Sequence, residues 1–322
     1  MRSNFNTTEP QVYQGFAFNL YDDLKPLYRL NPFTTEQAEM LRQGPVGTTT
    51  DALLSNHFHG RPFIYTSNGR QAIREALRLL NLEADDCVTI FTSTENFYIS
   101  GCVTSEIQGF CKWSRSLEPN TKALFINHEF GVPHPRLAEL KQLGLPIIED
   151  CCYAFHSGTA SNEVGRVGDF VLYSFPKYFP IQFGGVLVGT PDIPLPNNLL
   201  NASTIAYLRQ VIGQLYPQVD TIAAQRLVNH EALAARLEPM GITPRFDYAT
   251  GGGVPGVFMF VAPADWHLPT LKEFLWECGI HCSVFYGEQA FFIPVHQSLG
   301  SGAFDYFAAS LEQFIIKNAT NL

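Results

Sequence analysis

Hydrophobic and polar positions follow two rhythms along the chain, one typical of strands and one typical of amphipathic helices. Between residues 62 and 189, short apolar runs end at polar or glycine residues and alternate with segments whose apolar positions have helical spacing. The helical spacing is clearest at 69–82 and 135–144. The predicted strands are 62–66, 87–91, 110–114, 123–130, 146–150, 169–175 and 184–189. This alternation predicts a largely parallel α/β sheet covered by helices on both faces.

The pattern changes after Thr190, where the prolines of PDIPLPNN indicate a linker. Two helices are predicted at 203–215 and 218–238, and shorter strands and helices follow them. We expect three parts: an N-terminal arm over 1–60, a large α/β domain over 61–190, and a helical connection with a small C-terminal α+β domain over 191–322.

Composition narrows the class of protein. The chain has 322 residues, of which 46% are hydrophobic and 16% charged, so it can build a sizeable core and is not a disordered chain. Its net charge of −9, without a dense basic tract, argues against nucleic-acid binding. No apolar run long enough for a membrane span occurs, and the start lacks the apolar block of a signal peptide. These features predict a cytoplasmic protein.

The seven cysteines include no CxxC pair, and most lie within apolar runs. We therefore expect buried reduced thiols, not a disulfide framework or a zinc site. His57 and His59 form an HxH pair that lacks a nearby ligand partner, so no metal site is predicted.

Candidate chemistry lies where predicted strands end. Asn68, Gly69 and Arg70 stand between a strand and a helix, where free amides can hold a phosphate, although an ordinary helix cap explains the same residues. Asp150 closes a buried strand and could serve a ring nitrogen, a magnesium ion or a neighbouring helix cap. Neither segment identifies a function alone.

Two further segments follow strands in the same way. Lys177 comes shortly after the apolar run that ends near Ser174, and burial there would lower the pKa of its amine and make it a nucleophile. A snorkelling surface lysine is the alternative. Phe97 and Tyr98 could lie flat on a planar ring, or could simply belong to the core.

The order and spacing of these motifs are more specific than any one of them. SNGR, NFY, HEFG, EDCCYA, GDFVLYSFPK and the GG that follows resemble the DegT-type (DegT/DnrJ/EryC/StrS) sugar aminotransferases, which are fold type I pyridoxal phosphate (PLP) enzymes. The likeness runs over about residues 60–190 and is thinner over 255–318. It implies a mostly parallel sheet flanked by helices, followed by a smaller C-terminal α+β domain.

The resemblance implies roles for individual residues. Lys177 falls on the lysine that forms the Schiff base with PLP, and Asp150 falls on the carboxylate that pairs with the pyridine nitrogen. Gly69 and Arg70, next to Asn68, match the backbone amides that hold the cofactor phosphate. The remaining positions that it assigns to cofactor binding are Ser174 at the phosphate, Phe97 or Tyr98 stacked on the ring, His128 beside the ring, and Tyr153.

The chain also departs from the family pattern. Tyr153 replaces a glutamine, so its hydroxyl would have to make the hydrogen bond to the cofactor's 3-oxygen. The family's GEGG is replaced by QFGG. No arginine follows Arg245, although amino-acid aminotransferases of this fold hold a substrate carboxylate with one in the C-terminal domain. This absence favours a keto-sugar as the amino acceptor.

The resemblance therefore implies a PLP-dependent aminotransferase, with glutamate as the expected donor and a nucleotide-linked keto-sugar as the expected acceptor, in surface polysaccharide or amino-sugar biosynthesis. It implies a homodimer as well. Two alternatives remain open at this stage. One is a catalytically lapsed homologue with a binding or regulatory role, and the other is a PLP enzyme acting on an amino acid.

Overall fold

A computed structural model describes residues 11–13, 16–18, 27–44, 49–158 and 163–319. The first ten residues, on which the expected absence of a signal peptide was based, lie outside these ranges. At the start of the described chain, β1 (Gln11–Tyr13) and β2 (Phe16–Phe18) form an antiparallel hairpin. None of the described helices is both long enough and apolar enough to cross a membrane.

A seven-stranded sheet is the centre of the fold. Its strands are β3 (Phe63–Thr66), β4 (Cys87–Thr92), β5 (Lys112–Ser114), β6 (Thr121–Asn127), β7 (Ile147–Asp150), β8 (Phe170–Ser174) and β9 (Gly185–Val188). Their spatial order is β3-β9-β8-β7-β6-β4-β5. Only β9 runs against its neighbours, and the other six strands share one direction. The predicted mostly parallel sheet is thus confirmed.

Helices alternate with the strands of this sheet along the chain, and further helices follow its last strand. The described α-helices are α1 (Thr35–Gln43), α2 (Thr50–His57), α3 (Gly69–Leu79), α4 (Gly101–Gln108), α5 (Leu137–Lys141), α6 (Phe175–Tyr178), α7 (Ala202–Leu215), α8 (Val219–Leu237), α9 (Tyr248–Gly251), α10 (Leu268–Glu277) and α11 (Ser301–Ala319). Short 3-10 turns occur at Glu129–Gly131, Tyr216–Gln218 and Glu238–Met240. Helix α3 begins where the sequence predicts it, because Asn68 caps it by accepting a hydrogen bond from the Gln71 amide.

The C-terminal region forms a second sheet with its own core. The strands β10 (Thr243–Pro244), β11 (Phe258–Val261), β12 (Ser283–Phe285) and β13 (Ala290–Ile293) are antiparallel and lie in the order β10-β11-β13-β12. Phe260 and Phe291 of this sheet pack with Leu271 of α10 and Phe307 of α11. This arrangement is the small α+β unit that the sequence pattern predicts.

Helices α7 and α8 connect the two parts. Leu208 and Ile212 of α7 share a core with Val186 of β9 and with Leu54 of α2, so α7 packs on the large sheet. At its C-terminal half α8 contributes Leu233 to the core of the small sheet. The domain boundaries predicted from the sequence therefore stay a prediction, with α8 spanning both cores.

We predict that Gly131→Ala destabilises the protein more than Gly60→Ala. Both glycines have positive φ, +90° and +74°, but a Cβ at position 131 would collide with the carbonyl oxygen of Val254, while nothing lies within 4 Å at position 60. Alanine at position 60 should cost about 1–2 kcal/mol for its backbone alone, and at position 131 roughly 3 kcal/mol or more. Urea unfolding measures the loss in the free energy of unfolding for each variant. Equal losses in the two variants would contradict the predicted collision.

Candidate active site

Five strands that run in the same direction bring polar residues to one edge of the large sheet. Asn127 of β6 pairs in register with Thr92 of β4 on one side and with Asp150 of β7 on the other. On the next strands, Ser174 of β8 and Thr66 of β3 both lie opposite Gly185. These residues are the last of their strands, so the sheet presents its polar ends together at its carboxyl edge.

A cavity of about 370 Å³ opens at this edge, within the usual range of about 300–1,000 Å³ for small-molecule sites. We call it the polar cavity. Its lining residues are Asn68, Gly69, Arg70, Ile73, Ser100, Cys102, Val103, Asn127, Asp150, Cys152, Tyr153, Ser174 and Lys177. It therefore brings together seven of the residues that the sequence analysis singled out, along with others that it did not.

One end of the polar cavity is suited to an anion. The Asn68 side chain caps α3 at the Gln71 amide, which leaves the amides of Gly69 and Arg70 without a protein acceptor among the described residues. The hydroxyl of Ser174 lines the same space. A Cβ at position 69 would come within 2.9 Å of the Cys152 sulfur, so glycine is required for this close approach. Amides at a helix N-terminus favour a phosphate.

The Arg70 side chain lies at the rim of this end. Its Nη2 donates to the Cys102 sulfur over 2.7 Å. Although partial burial raises the pKa of the Cys102 thiol, the hydrogen bonds from Arg70 and Ser100 and the charges of Arg70 and Lys177 together outweigh this effect, so the net pKa is lowered. The guanidinium thus adds positive charge where the helix amides are free.

Asp150 lies deeper in the same cavity. Its Oδ1 accepts a hydrogen bond of 2.9 Å from the Cys152 amide, and only 7% of the residue is exposed. Burial raises the pKa of this carboxyl and outweighs the hydrogen bonds and the nearby Lys177 charge, which lower it. A protonated ring nitrogen would be a suitable partner because it compensates the buried negative charge.

Lys177 is carried by α6, a single turn that directly follows β8. Its Nζ donates a hydrogen bond of 2.8 Å to the Tyr153 hydroxyl and lies 4.3 Å from the centre of the Tyr153 ring. The lysine is therefore held inside the site, and the alternative of a snorkelling surface lysine is wrong.

The direction of the Lys177 pKa corrects a prediction. Burial alone lowers the pKa of this amine, as expected from the sequence, but the interactions with Tyr153, Cys152 and Cys102 together outweigh burial and raise the pKa above its ordinary value. The sequence could not reveal this because Lys177 and Tyr153 are 24 positions apart.

A second cavity, of about 210 Å³, shares Lys177 and Tyr153 with the polar cavity. We call it the aromatic cavity. Its lining residues are Tyr98, Ile99, Ser100, Asn127, Glu129, Phe130, Tyr153, Lys177, Ser283, Val284, Phe285, Tyr286 and Phe292. Four residues, Ser100, Asn127, Tyr153 and Lys177, line both cavities. The lysine amine consequently lies at their junction.

Charge is sparse in the aromatic cavity. Among its described lining residues Lys177 is the only cation, and the one carboxylate, on Glu129, accepts from the amide and the hydroxyl of Thr94. Six of its thirteen lining residues are aromatic, and they come from both parts of the fold. Such walls suit the flat apolar faces of a neutral ring better than an isolated carboxylate.

The predicted stacking aromatics are not placed as expected. Phe97 is 77% exposed and lines neither cavity, while Tyr98 lines only the aromatic cavity, with its ring 5.2 Å from that of Tyr286. The reason is local: α4 begins only at Gly101, so residues 97 and 98 precede it in an irregular segment. Neither residue covers the polar cavity in this structure.

His128 also lies outside the cavity lining. Its Nδ1 accepts from the His134 amide over 2.9 Å, and its Nε2 lies 2.9 Å from a Glu149 carboxylate oxygen. Glu149 accepts from the Gly165 and Gly168 amides as well. His128 therefore supports the strand that carries Asp150, and its predicted place beside a bound ring stays a prediction.

The same cluster contains the only grouping of possible metal ligands among the described residues. His128, Glu149 and Cys151 offer ligand atoms within 4.8 Å of one another. Protein hydrogen bonds already use both oxygens of Glu149 and both ring nitrogens of His128. The arrangement is accounted for by these bonds.

Sequence reasoning missed several lining residues. Asn127 could have been found, because it is a polar residue that closes an apolar strand, as Asp150 does. Ser100, Cys102 and Cys152 carry no comparable signal. They reach the polar cavity only through the course of the chain after β4 and β7.

The described residues thus combine an α/β fold with a half-buried lysine that lines two cavities. Residues 112–192 match the model of the DegT/DnrJ/EryC1/StrS aminotransferase family. The resemblance that the sequence motifs indicate is thereby confirmed.

Solved structures extend the likeness in fold to most of the chain. The aminotransferase TlmJ from Streptoalloteichus hindustanus has a TM-score of 0.72 at 14% identity, covering 89% of this chain and 98% of that one. NtdA from Bacillus subtilis, solved with bound cofactor PMP, has a TM-score of 0.65 at 15% identity, covering 94% of this chain and 89% of that one. The predicted fold class is confirmed.

A curated relative matches a shorter stretch at higher identity. The 3-oxo-glucose-6-phosphate:glutamate aminotransferase of Bacillus subtilis (strain 168) is 30% identical over 152 residues, which cover 42% of this chain. The match spans 33% of the relative's own length.

We predict that acid destabilises the protein partly through His134. Burial, and then the neighbouring His128, lower the pKa of His134 from 6.5 to about 4, so between these pH values the unfolded chain binds a proton that the folded protein does not bind. Between pH 6.5 and 4 this histidine should reduce stability by up to about 1.4 kcal/mol per pH unit.

His134→Asn should make the free energy of unfolding less dependent on pH between 6.5 and 4. The asparagine side-chain oxygen can still accept from the Arg136 amide, but it does not titrate. Urea unfolding at successive pH values measures the slope. Parallel profiles of wild type and variant would contradict the assignment. Half-buried His57 and buried His296, with pKa values lowered to about 4 and about 3, should keep part of the slope in both proteins.

Proposed function

We propose that this protein is a PLP-dependent aminotransferase that moves an amino group from an amino acid to the ketone of a sugar. The observation that carries the proposal is the position of the Lys177 amine, which lines both the polar and the aromatic cavity. A lysine at such a junction can meet a cofactor on one side and a substrate on the other. The family match over 112–192 supports the same class of reaction.

The polar cavity fits PLP by the chemistry of its donors. The free amides of Gly69 and Arg70, with the Ser174 hydroxyl, would hold the phosphate. Asp150, whose buried carboxyl needs a cation, would hold the ring nitrogen in its protonated form. PLP supplies an aldehyde for amines and a ring that withdraws electrons from the reacting carbon. NtdA, a structural neighbour, was solved with bound PMP.

Three residues of the chain would then have separate roles in the reaction. Lys177 would hold and move the proton at the reacting carbon, because its amine faces both cavities. Tyr153 would position that amine through its hydroxyl, 2.8 Å away. Asp150 would keep the ring nitrogen protonated by offering its buried carboxylate as a partner.

The aromatic cavity supports a sugar as the acceptor. It offers six aromatic faces and, among its described lining residues, no arginine for a substrate carboxylate. The curated relative acts on a keto-sugar phosphate with glutamate, and we extend the donor glutamate to this chain. A nucleotide linkage of the sugar, a role in surface polysaccharide or amino-sugar biosynthesis, a homodimer and a cytoplasmic location remain part of this proposal.

The proposed function is tested with purified protein, PLP and glutamate. PLP should give a yellow protein, and borohydride should fix the cofactor on Lys177, as detected by peptide mass spectrometry. Lys177→Ala should abolish this link, whereas Lys112→Ala, at an exposed ion pair with Asp85, should not. An unchanged link in Lys177→Ala would contradict the assignment.

Glutamate should then convert the bound cofactor into its amine form, and a screen of keto-sugars should reverse the conversion. Asp150→Asn should fold but slow the conversion by about 100-fold or more, because the ring nitrogen loses its charged partner. Cofactor binding without conversion by any amino donor would instead favour a catalytically lapsed homologue. Conversion that no keto-sugar reverses would favour an enzyme acting on amino acids.

We predict that Tyr153→Phe lowers the pKa of Lys177. The phenylalanine ring keeps the packing but removes the hydroxyl that accepts from the amine, so the effect of burial increases. The acetylation rate of Lys177, followed by mass spectrometry against pH, should reach its midpoint at lower pH than in wild type. The control Tyr306→Phe removes an exposed hydroxyl that bonds to Cys278 and should leave the midpoint unchanged.

A further inference from the structure

Arg226, in the middle of α8, is a fully buried cation with 0% exposure. No carboxylate in the part of the chain that the structure describes forms an ion pair with it. Burying an arginine without a counter-charge is costly unless its donors are satisfied. Its position therefore needs a reason beyond the packing of the helix.

The guanidinium satisfies its donors with groups from three parts of the fold. Its Nη2 donates to the carbonyl oxygens of Lys177 and Tyr178, each over 3.0 Å. Its Nη1 donates to the carbonyl oxygen of Pro255, and its Nε donates over 2.9 Å to the side chain of Gln297. Arg226 thus links α6 to the region of the small sheet.

Gln297 strengthens the same link. Its Nε2 donates over 3.0 Å to the carbonyl oxygen of Tyr178, the atom that also accepts from Arg226. Helix α6 is only one turn long, so its carbonyl groups have few partners within the helix. A guanidinium at the C-terminal end of α6 donates hydrogen bonds to these carbonyl oxygens. Its positive charge also interacts favourably with the negative end of the helix dipole.

We propose that Arg226 is a positioning residue that sets the place of the Lys177 amine relative to both cavities. It fixes the backbone of Lys177 itself, and through Pro255 and Gln297 it ties that backbone to the part of the chain that carries Phe285 and Phe292 of the aromatic cavity. The inference rests on the proposed role of Lys177 as the residue that binds the cofactor.

The test compares two reactions of Lys177 in the full-length protein. Reductive trapping of PLP requires the amine to be aligned with the polar cavity, whereas acetylation by acetic anhydride requires only that the amine is accessible. In Arg226→Met we expect the ratio of trapping to acetylation at Lys177 to fall about tenfold, because the end of α6 loses its anchor. Acetylation of exposed Lys112 serves as the internal reference.

Arg236→Met is the matched control. Arg236 lies on the same helix and pairs with Asp305 at the surface, far from the Lys177 carbonyl, so its loss should leave the ratio unchanged. Arg226→Lys should restore part of the ratio, since one ammonium can reach some of the acceptors. Circular dichroism confirms that each compared variant is folded at the labelling temperature.

An unchanged ratio in folded Arg226→Met would overturn the inference. If that variant does not fold, Gln297→Leu replaces it. This substitution removes one acceptor of Arg226 and one donor to the Tyr178 carbonyl oxygen, while Arg226 itself stays in place. A lowered ratio in Gln297→Leu supports the inference, and an unchanged ratio overturns it. Absence of PLP trapping at Lys177 in wild type would instead refute the proposed function and this role with it.

Discussion

The candidate active site depends on the contacts that hold one primary amine, that of Lys177, inside the protein. The Lys177 amine lies past the end of the buried strand β8, where burial disfavours its charge and the Tyr153 hydroxyl favours it. Its backbone is held from the other side by Arg226, a buried cation without a carboxylate partner among the described residues. Two cationic groups are therefore satisfied by dipoles, from a phenol and from carbonyl groups, and not by opposite charges.

The two cavities beside this amine have different origins. The polar cavity exists because parallel strands end at one edge, which places carboxylate, amide and hydroxyl groups side by side below the start of α3. The aromatic cavity is formed only when the small sheet packs against that edge and brings Phe285, Tyr286 and Phe292 to face Phe130. In the proposed function, anion binding would therefore be a property of the large sheet, and the choice of substrate would depend on the contact between both parts.

Residues at strand ends could be predicted because their position follows from a simple rule. Gly69, Asp150, Ser174 and Lys177 each follow an apolar run, and such runs end at one edge of a parallel sheet, so all four line the polar cavity. Phe97 could not be placed in the same way, because its segment is irregular and the start of α4 decides its direction. An aromatic residue in a loop has no periodicity that fixes its orientation.

The sequence by itself determined the class of fold, the order of its elements and the polar end of the site, because apolar periodicity and strand-to-helix junctions are local properties of the chain. Only the tertiary structure decided the partner of Lys177, the burial of Arg226 and the wall of the aromatic cavity. Arg226 and Gln297 are 71 residues apart and meet through the packing of two separate elements. Contacts of this kind depend on how helices and sheets pack in space, and no local pattern of residues encodes them.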